Sequence, residues 1–512
     1  MTIERPGLGW SDLRDRNVGV WGFGREGSAN LRKLRSMDIE PVLVDDDPPD
    51  DAENVLRTDS GGLEALLKCD VVVKTPGISR YRPEAGQLRD AGVSLTGGLG
   101  LWLAEADIER VIVVTGTKGK STTSSVIGHL LNGLGQRAAI GGNIGNVPWD
   151  PHSLGGNDPP QAPPAHGGVA RPPVPPAGSP HGAPDTPVRE TYGPPGGPVG
   201  APPGGLGGGE SPNRRGGVGG IVPPRKYWVI EVSSYQATDL ARTPPVAAVT
   251  SLHPDHLPWH GGVDQYYRDK LSALSQPGAD LTVANGDSDL IRERRRLLGP
   301  RVEWVREDDD PDATWMEPLG LPGGHNRRNA LIARAVLRAL RIPGAEDDAR
   351  LRAAAEGYEG LPSRLKEIGT VAGVRFVDDS LSTNVLPTLA ALDAFPGQRV
   401  ALIVGGQDRG IDYRELAEGV GRRESPISVL TLPDSGPRIS RAFETTAPET
   451  TVTDCPDLAT AVRAGFEWAR PDGIVLLSPA APSFGHFRDY RDRAAAFARE
   501  MGELDAAFPP PG

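Results

Sequence analysis

A chain of 512 residues with 38% hydrophobic content and a formal net charge of −12 has room for two to four domains and a substantial core. No long basic tract accompanies that charge, which argues against nucleic-acid binding as the main role, and only two cysteines, Cys69 and Cys455, leave no disulfide framework. No run approaches ~20 apolar residues and the opening MTIERPGLGW lacks a basic-then-apolar leader pattern, so no membrane span and a cytoplasmic location are expected.

The first block opens with VGVWGFGREG at 18–27, a short apolar strand running into a G-x-G-x-x-G turn made by Gly22, Gly24 and Gly27. A helical stretch follows to about Met37, then a strand at 41–44 ending in Asp45, then a strand at 70–73 ending in KTPG, with Thr75 and Gly77. Strand, glycine turn, helix, strand and acid in this order predict a Rossmann-like unit that places backbone N–H groups against a phosphate. The same spacing fits a nicotinamide dinucleotide site.

The second block begins near residue 104. A strand at 111–114 runs into TGTKGKST, so Gly116, Thr117, Lys118, Gly119, Lys120, Ser121 and Thr122 open a helix. A standard phosphate loop has four residues between its first glycine and Gly-Lys; here Thr117 and Lys118 alone separate Gly116 from Gly119. The shortened loop still aims N–H groups at phosphates, with Lys120 to neutralise β/γ oxygens and Ser121 to ligate Mg²⁺. An ordinary glycine-rich strand-to-helix turn is the plainer alternative.

From Pro151 to Arg225, 39 of 75 residues are glycine or proline, a composition that predicts a disordered insertion inside this domain, or a proline-rich docking segment. The block resumes with an apolar strand carrying one acid, Glu231. HPDHLPWH at 253–260 follows, and then Lys270. Alone, an acid ending a strand, an Asp-His pair in a loop and a helical lysine are all commonplace. The third block, from Ser363, has apolar strands near 374–377, 400–404, 428–431 and 474–477 separated by helical stretches. The expected fold class is α/β with three domains: a Rossmann-like domain over 1–103, a central phosphate-loop ATPase domain with a parallel sheet over 104–362, and a Rossmann-like domain over 363–512.

The motifs carry more together than singly. GTKGKST, EVSSYQ at 231–236, DHLPWHG at 255–261 with Lys270, GGHNRRNA at 323–330, SRLKEI at 363–368 and DDSLSTN at 378–384 occur in one order. In this the chain resembles the Mur ligase family, the ATP-dependent amide ligases of peptidoglycan precursor synthesis. The early glycine block, GGNIGN at 141–146 and SPAAPSF at 478–484 resemble the branch that adds glutamate to UDP-N-acetylmuramoyl-L-alanine.

That resemblance implies a set of roles. Gly22, Gly24 and Gly27 would face the UDP diphosphate, Asp45 the uracil, Thr75 and Gly77 the same cleft, and Asn143 the pyrophosphate or muramoyl part. Lys120 would contact ATP phosphates; Ser121 and Glu231 would hold one Mg²⁺ and His256 help hold a second; Lys270 matches the family's carbamylated lysine. Asn326 and Asn329 match adenine- and ribose-side contacts, Arg364 an arginine reaching toward the γ-phosphate, and Asp379 a ribose contact. A monomer is implied.

Two departures stand out. Lys118 occupies a position where most members carry asparagine, and the usual Asp-Ser-Lys-Ala-Thr-Asn reads DSLSTN, with Leu381 where the D-glutamate enzymes place a glutamate-site lysine. Leucine cannot pair with a carboxylate, so Thr383, Arg409, Ser483, His486, Arg488 and Tyr490 become candidates for holding the amino acid. The pattern is similar to a branch that attaches L-glutamate and relies on a separate epimerase; an ordinary D-glutamate ligase with a tolerated substitution is the alternative. An ATP-driven switch or scaffold would leave the asparagine, arginine and aspartate motifs of the second and third blocks unexplained, and a folate polyglutamate ligase would lack the first domain.

Overall fold

The computed structural model describes residues 5–48, 54–144, 146–153, 226–483 and 485–508. Nearly all of the glycine- and proline-rich stretch, 154–225, lies outside the described residues, as do Gly145 and Phe484 of two motifs.

Three sheets follow one another along the chain. The first is fully parallel: β1 (Val18–Trp21), β2 (Val42–Asp45), β3 (Val55–Arg57), β4 (Val71–Lys74) and β5 (Ser94–Gly97), in the order β3-β2-β1-β4-β5. Helix α1 (Arg25–Arg35) starts from the glycine turn after β1, and the strand order reverses between β1 and β4, so the carboxyl ends of these two strands frame the crevice. Helix α2 (Gly98–Glu105) runs across position 103, where the sequence suggested a domain boundary; its apolar LGLWLA run continues helically, and the next strand begins at Val111.

The second sheet is also parallel: β6 (Val111–Thr115), β7 (Ala138–Gly142), β8 (Tyr227–Glu231), β9 (Val246–Val249), β10 (Leu281–Asn285) and β11 (Arg301–Val305), ordered β11-β10-β9-β6-β8-β7. β6 is buried throughout, as a central parallel strand covered on both faces must be, which is why VIVVT reads as a continuous apolar run. Helix α3 (Lys120–Gly133) leaves the phosphate loop. Helices α4 (Ser234–Ala237), α5 (Leu257–His260), α6 (Val263–Leu271) and α7 (Gly324–Ala339) carry the remaining motifs. One apolar cluster joins the first sheet to one face of the second through Trp10, Trp149, Leu99 and Tyr266; another fills the opposite face, between α3 and α7.

The third sheet holds β12 (Lys366–Val371), β13 (Val374–Asp378), β14 (Val400–Gly406), β15 (Ile427–Asp434), β16 (Thr451–Asp454) and β17 (Ile474–Leu477), ordered β12-β13-β17-β14-β15-β16, with only β12 antiparallel. Helix α8 (Tyr490–Ala507) closes the described chain against β12 and β13. The centre of this sheet is β13-β17-β14, so loops near positions 380, 405 and 481 converge although about a hundred residues separate their ends.

Candidate active site

The first crevice is built by steric demand on glycine. Gly22 has φ +98°, and a Cβ there would lie 2.0 Å from Thr75 Oγ1; a Cβ on Gly27 would lie 2.0 Å from the Gly22 carbonyl oxygen. Only glycine lets the turn close onto the end of β4. Gly24 caps α1, and the Asp45 carboxylate accepts from the Phe23 and Asp47 N–H groups, so the acid after β2 fixes the turn itself. Thr75 N–H bonds the Trp21 carbonyl and Gly77 offers its carbonyl to Trp259 Nε1 at 3.2 Å.

Charges that sequence reasoning missed lie buried where the first sheet meets the second block. Lys74, at the end of β4, and Arg80 both pair with Asp239, which the second block supplies; all three are buried, with Lys74 Nζ 2.7 Å from Asp239 Oδ2. Burial alone would raise the Asp239 pKa, yet the two cations hold it below its ordinary value. Glu26 accepts from Gln236 Nε2 at 2.6 Å, and burial pushes its carboxyl up to about 7 against the opposing pull of Arg25. Arg25 in turn donates to the Gly142 carbonyl at 2.7 Å. A lysine ending the otherwise apolar VVVK was the available signal.

The phosphate loop sits between β6 and α3. Gly116 (φ +139°) and Gly119 (φ +84°) take conformations that admit no ordinary side chain: a Cβ would meet Thr250 Oγ1 at 2.2 Å or Asn329 Oδ1 at 2.8 Å. Thr117 N–H bonds the Ser251 carbonyl, Thr117 Oγ1 reaches Tyr266 Oη at 2.8 Å, and the Lys118 N–H bonds Ser251 Oγ. Lys118 Nζ stands 3.8 Å from Asp255 Oδ2. Lys120 folds back to the Thr117 carbonyl at 3.1 Å; burial lowers its pKa and Glu231 opposes that. Ser121 and Thr122 are buried in the first turn of α3. Ser121 Oγ accepts from Arg364 Nη2 at 2.9 Å, which brings the third block over the loop.

Glu231 ends β8 beside this loop. Its Oε1 accepts from Asn143 Nδ2 at 2.8 Å, while Oε2 is buried and has no partner. An orphaned buried carboxylate oxygen is costly, and a divalent cation fits it. Among the described residues no cluster of three or more His, Cys, Asp and Glu side chains could hold a metal. An ion on Glu231 and Ser121 would therefore complete its shell with phosphate and water oxygens, as Mg²⁺ prefers. Asn143 is tied to Glu231 by both side chain and backbone, its amide donating to Oε1 and its N–H to the Glu231 carbonyl.

Lys270, on α6, is buried with Nζ 2.9 Å from the Gly116 carbonyl. Burial first, then Lys120, drives its pKa well below that of an ordinary lysine. An amine kept neutral can take up CO₂ and become an anionic metal ligand. His256, with φ +52° ahead of α5, is half exposed, and burial lowers its pKa too, favouring the neutral ring a metal needs.

Three further candidates have partners within the chain. Asn329 packs behind Gly119 of the phosphate loop and donates to Asn326 Oδ1 at 3.4 Å, while Asn326 donates to the Pro322 carbonyl at 2.8 Å. Asp379 accepts from Leu365 N–H, Ser382 Oγ and Ser478 Oγ; burial outweighs these donors and pushes its carboxyl up to about 6. Both its oxygens accept within the third block, so it organises the loops on either side of it.

The amino-acid candidates gather at the carboxyl ends of β13, β14 and β17. Leu381 N–H bonds the Ser363 carbonyl and Thr383 lies half-buried beyond it. Arg409 is exposed, donating to Gln407 Oε1. Ser483 is buried, His486 Nε2 lies 3.3 Å from Asp434 Oδ1, Arg488 pairs with Asp492 at the surface, and Tyr490 opens α8. Beneath them Arg493 is wholly buried, donating to the carbonyls of Ser380, Gly405 and Ala481. It braces all three loops at once and left no motif in the sequence.

A parallel sheet, a shortened phosphate loop, an orphaned buried carboxylate oxygen and a buried lysine on the loop's own carbonyl make the class a phosphate-loop nucleotide-binding one. The chain matches the Mur ligase middle domain over residues 223–317 and the Mur ligase, glutamate ligase domain over residues 363–481. It is 35% identical to a UDP-N-acetylmuramoyl-L-alanine–L-glutamate ligase of Micromonospora sp., covering 96% of this chain and 97% of that one. It is 34% identical to the protein of the same name from Salinispora tropica (96% and 98%), and 32% identical to that of Xanthomonas euvesicatoria pv. vesicatoria (97% and 97%). Its fold resembles the crystal structure of the UDP-N-acetylmuramate–alanine ligase of Thermotoga maritima, with a TM-score of 0.50 at 15% identity over 96% of this chain and 100% of that one. A pseudomurein peptide ligase type C from Methanothermus fervidus gives 0.50 at 13% identity over 96% and 100%. The chain belongs to the Mur ligase family, the ATP-dependent amide ligases of peptidoglycan synthesis. No helix among the described residues is long and apolar enough to cross a membrane.

Proposed function

We propose that the protein joins L-glutamate to UDP-N-acetylmuramoyl-L-alanine at the expense of ATP, as a cytoplasmic monomer. The observation that carries this reading is the convergence, at one phosphate loop, of Lys120, the orphaned Glu231 oxygen, buried Lys270 and Arg364 from the third block. That set suits activation of a carboxylate. An oxygen of the alanyl carboxylate attacks the γ-phosphorus and ADP leaves; the glutamate amine then attacks the acyl carbon, expelling phosphate and forming the amide. Lys120 and Arg364 balance charge on the transferring group. Mg²⁺ on Ser121 and Glu231, with a second ion near His256 and carbamylated Lys270, would supply further charge neutralisation. The first crevice would hold the UDP part through Gly22, Gly24 and Gly27, and the loops braced by Arg493 would hold glutamate.

Two observations support the L isomer: Leu381 stands where a lysine would meet D-glutamate, and the relatives at 32–35% identity carry L-glutamate in their names. An epimerase acting on the product is the partner this implies. Phosphate release from ATP with UDP-N-acetylmuramoyl-L-alanine, run in parallel with L- and D-glutamate, tests the reading. Turnover with the L isomer alone is expected. Turnover with the D isomer alone would make Leu381 a neutral replacement, and ATP turnover without an amide product would sink the ligase assignment.

A further inference from the structure

A second polar chain crosses from the first sheet to the second. Tyr81, on the loop after β4, donates its hydroxyl to Asp269 Oδ1 at 2.6 Å, and Gln265 Nε2 donates to the same oxygen at 2.7 Å. Asp269 Oδ2 lies 2.6 Å from His260 Nδ1, and His260 Nε2 lies 3.0 Å from Ser234 Oγ. A carboxylate only accepts, so Nδ1 carries the proton, and on a neutral ring Nε2 accepts from the Ser234 hydroxyl. Asp269, His260 and Ser234 are all buried.

The order of groups is that of a Ser-His-Asp nucleophile, but the setting rules out attack. Ser234 lies at the start of α4, buried, and the Tyr235 ring stacks over His260 at 5.6 Å and 21°. What the chain does connect is informative. Asp269 immediately precedes Lys270, and Ser234 follows Glu231 by three positions. At its other end, the loop bearing Tyr81 also bears Thr75 and Gly77, and it clamps α5: Ser79 Oγ donates to the Trp259 carbonyl at 2.9 Å, and Trp259 Nε1 donates to the Gly77 carbonyl.

We propose that Asp269 is a positioning residue which sets α6, and with it Lys270, according to how the Tyr81 loop is seated, so that filling the first crevice and filling the ATP site are thermodynamically coupled through the Tyr81–Asp269 hydrogen bond. This rests on the reading of the first crevice as the UDP-substrate site. Coupling of this kind is reciprocal and commonly amounts to about 5- to 150-fold in affinity.

The test uses the full chain and a non-hydrolysable ATP analogue with Mg²⁺, titrated with and without saturating UDP-N-acetylmuramoyl-L-alanine. In the wild type the UDP substrate is expected to tighten analogue binding about tenfold. Tyr81 is 40% exposed, so Tyr81→Phe removes the hydroxyl without opening a core cavity; it should bind each compound alone as wild type does, with the coupling reduced to under about threefold. Asp269→Asn should lower kcat about tenfold with an unchanged KM for the UDP substrate. Wild-type coupling in Tyr81→Phe overturns the proposal, as does a KM effect without a kcat effect in Asp269→Asn. A wild type that binds both compounds independently also overturns it and leaves the functional reading standing. A wild type that does not bind the UDP substrate overturns that reading instead.

Discussion

Burial does different work at the two acids and the lysine that titrate abnormally around the site. At Lys270 it disfavours the charged ammonium and drives the pKa well down; at Glu26 and Asp379 it disfavours the carboxylate and raises the pKa to about 7 and about 6. Glu26 makes this measurable. Its carboxyl sits near 7 in the folded protein against 4.5 for the free group, so the folded state holds the proton more tightly. Stability from this group is complete below pH 4.5, declines as pH rises toward 7, and stays reduced above it. Glu26→Gln cannot ionise and should be more stable than wild type at pH 8 by about 1 kcal/mol, a figure discounted for partial exposure. At pH 4.5 the two should be alike. Urea midpoints at the two pH values decide it; an equal difference at both would mean that Gln236 and packing, not ionisation, set the effect.

At the scale of elements, the glycine turns are the sharpest constraint. Gly22→Ala would put a Cβ against Thr75 Oγ1 at a φ of +98°, and should cost about 2–3 kcal/mol while weakening UDP-substrate binding more than ATP-analogue binding. Adding Thr75→Ala should recover part of the loss, because the nearest clash is with that side chain; no recovery would assign the whole cost to the backbone. Such turns are legible in sequence because their chemistry is local: GFGREG and GTKGKST announce strand, turn and helix within ten residues. The edge strands β12 and β16 are not, since KEIGTV and TVTD are polar and largely exposed, without the continuous apolar run that marks β6 or β17. Asp239 escaped notice because its partner Lys74 is 165 positions away. Arg493 escaped because it binds backbone carbonyls, which have no sequence signature. The bonds of Asn143 to Glu231 and of Asp379 to Ser478 depend on which neighbours the fold brings up, and a motif names the residue but not its partner.

For the whole molecule, the Lys74–Asp239–Arg80 cluster locks the first sheet to the second. Asp239→Ala would remove the carboxylate that both buried cations face, and a loss of about 3–5 kcal/mol is expected, against little change for a triple replacement by apolar residues of similar volume. Chemical unfolding of both variants checks this; a mild Asp239→Ala would mean that water reaches the pair. Every proposed substrate is an anion, and the chain carries −12 overall, so at a distance it repels what it must capture. Arg493 shows how that conflict is resolved. Burial lowers the pKa of its guanidinium to about 10 and the Asp378 carboxylate opposes that, so it keeps its charge at neutral pH, and its printed hydrogen bonds go to carbonyls at the ends of three strands. Added salt would screen the distant repulsion but barely touch a cation sealed beneath the surface. Moderate ionic strength should therefore favour capture of an anionic amino acid, the reverse of what a rim of exposed lysines would give.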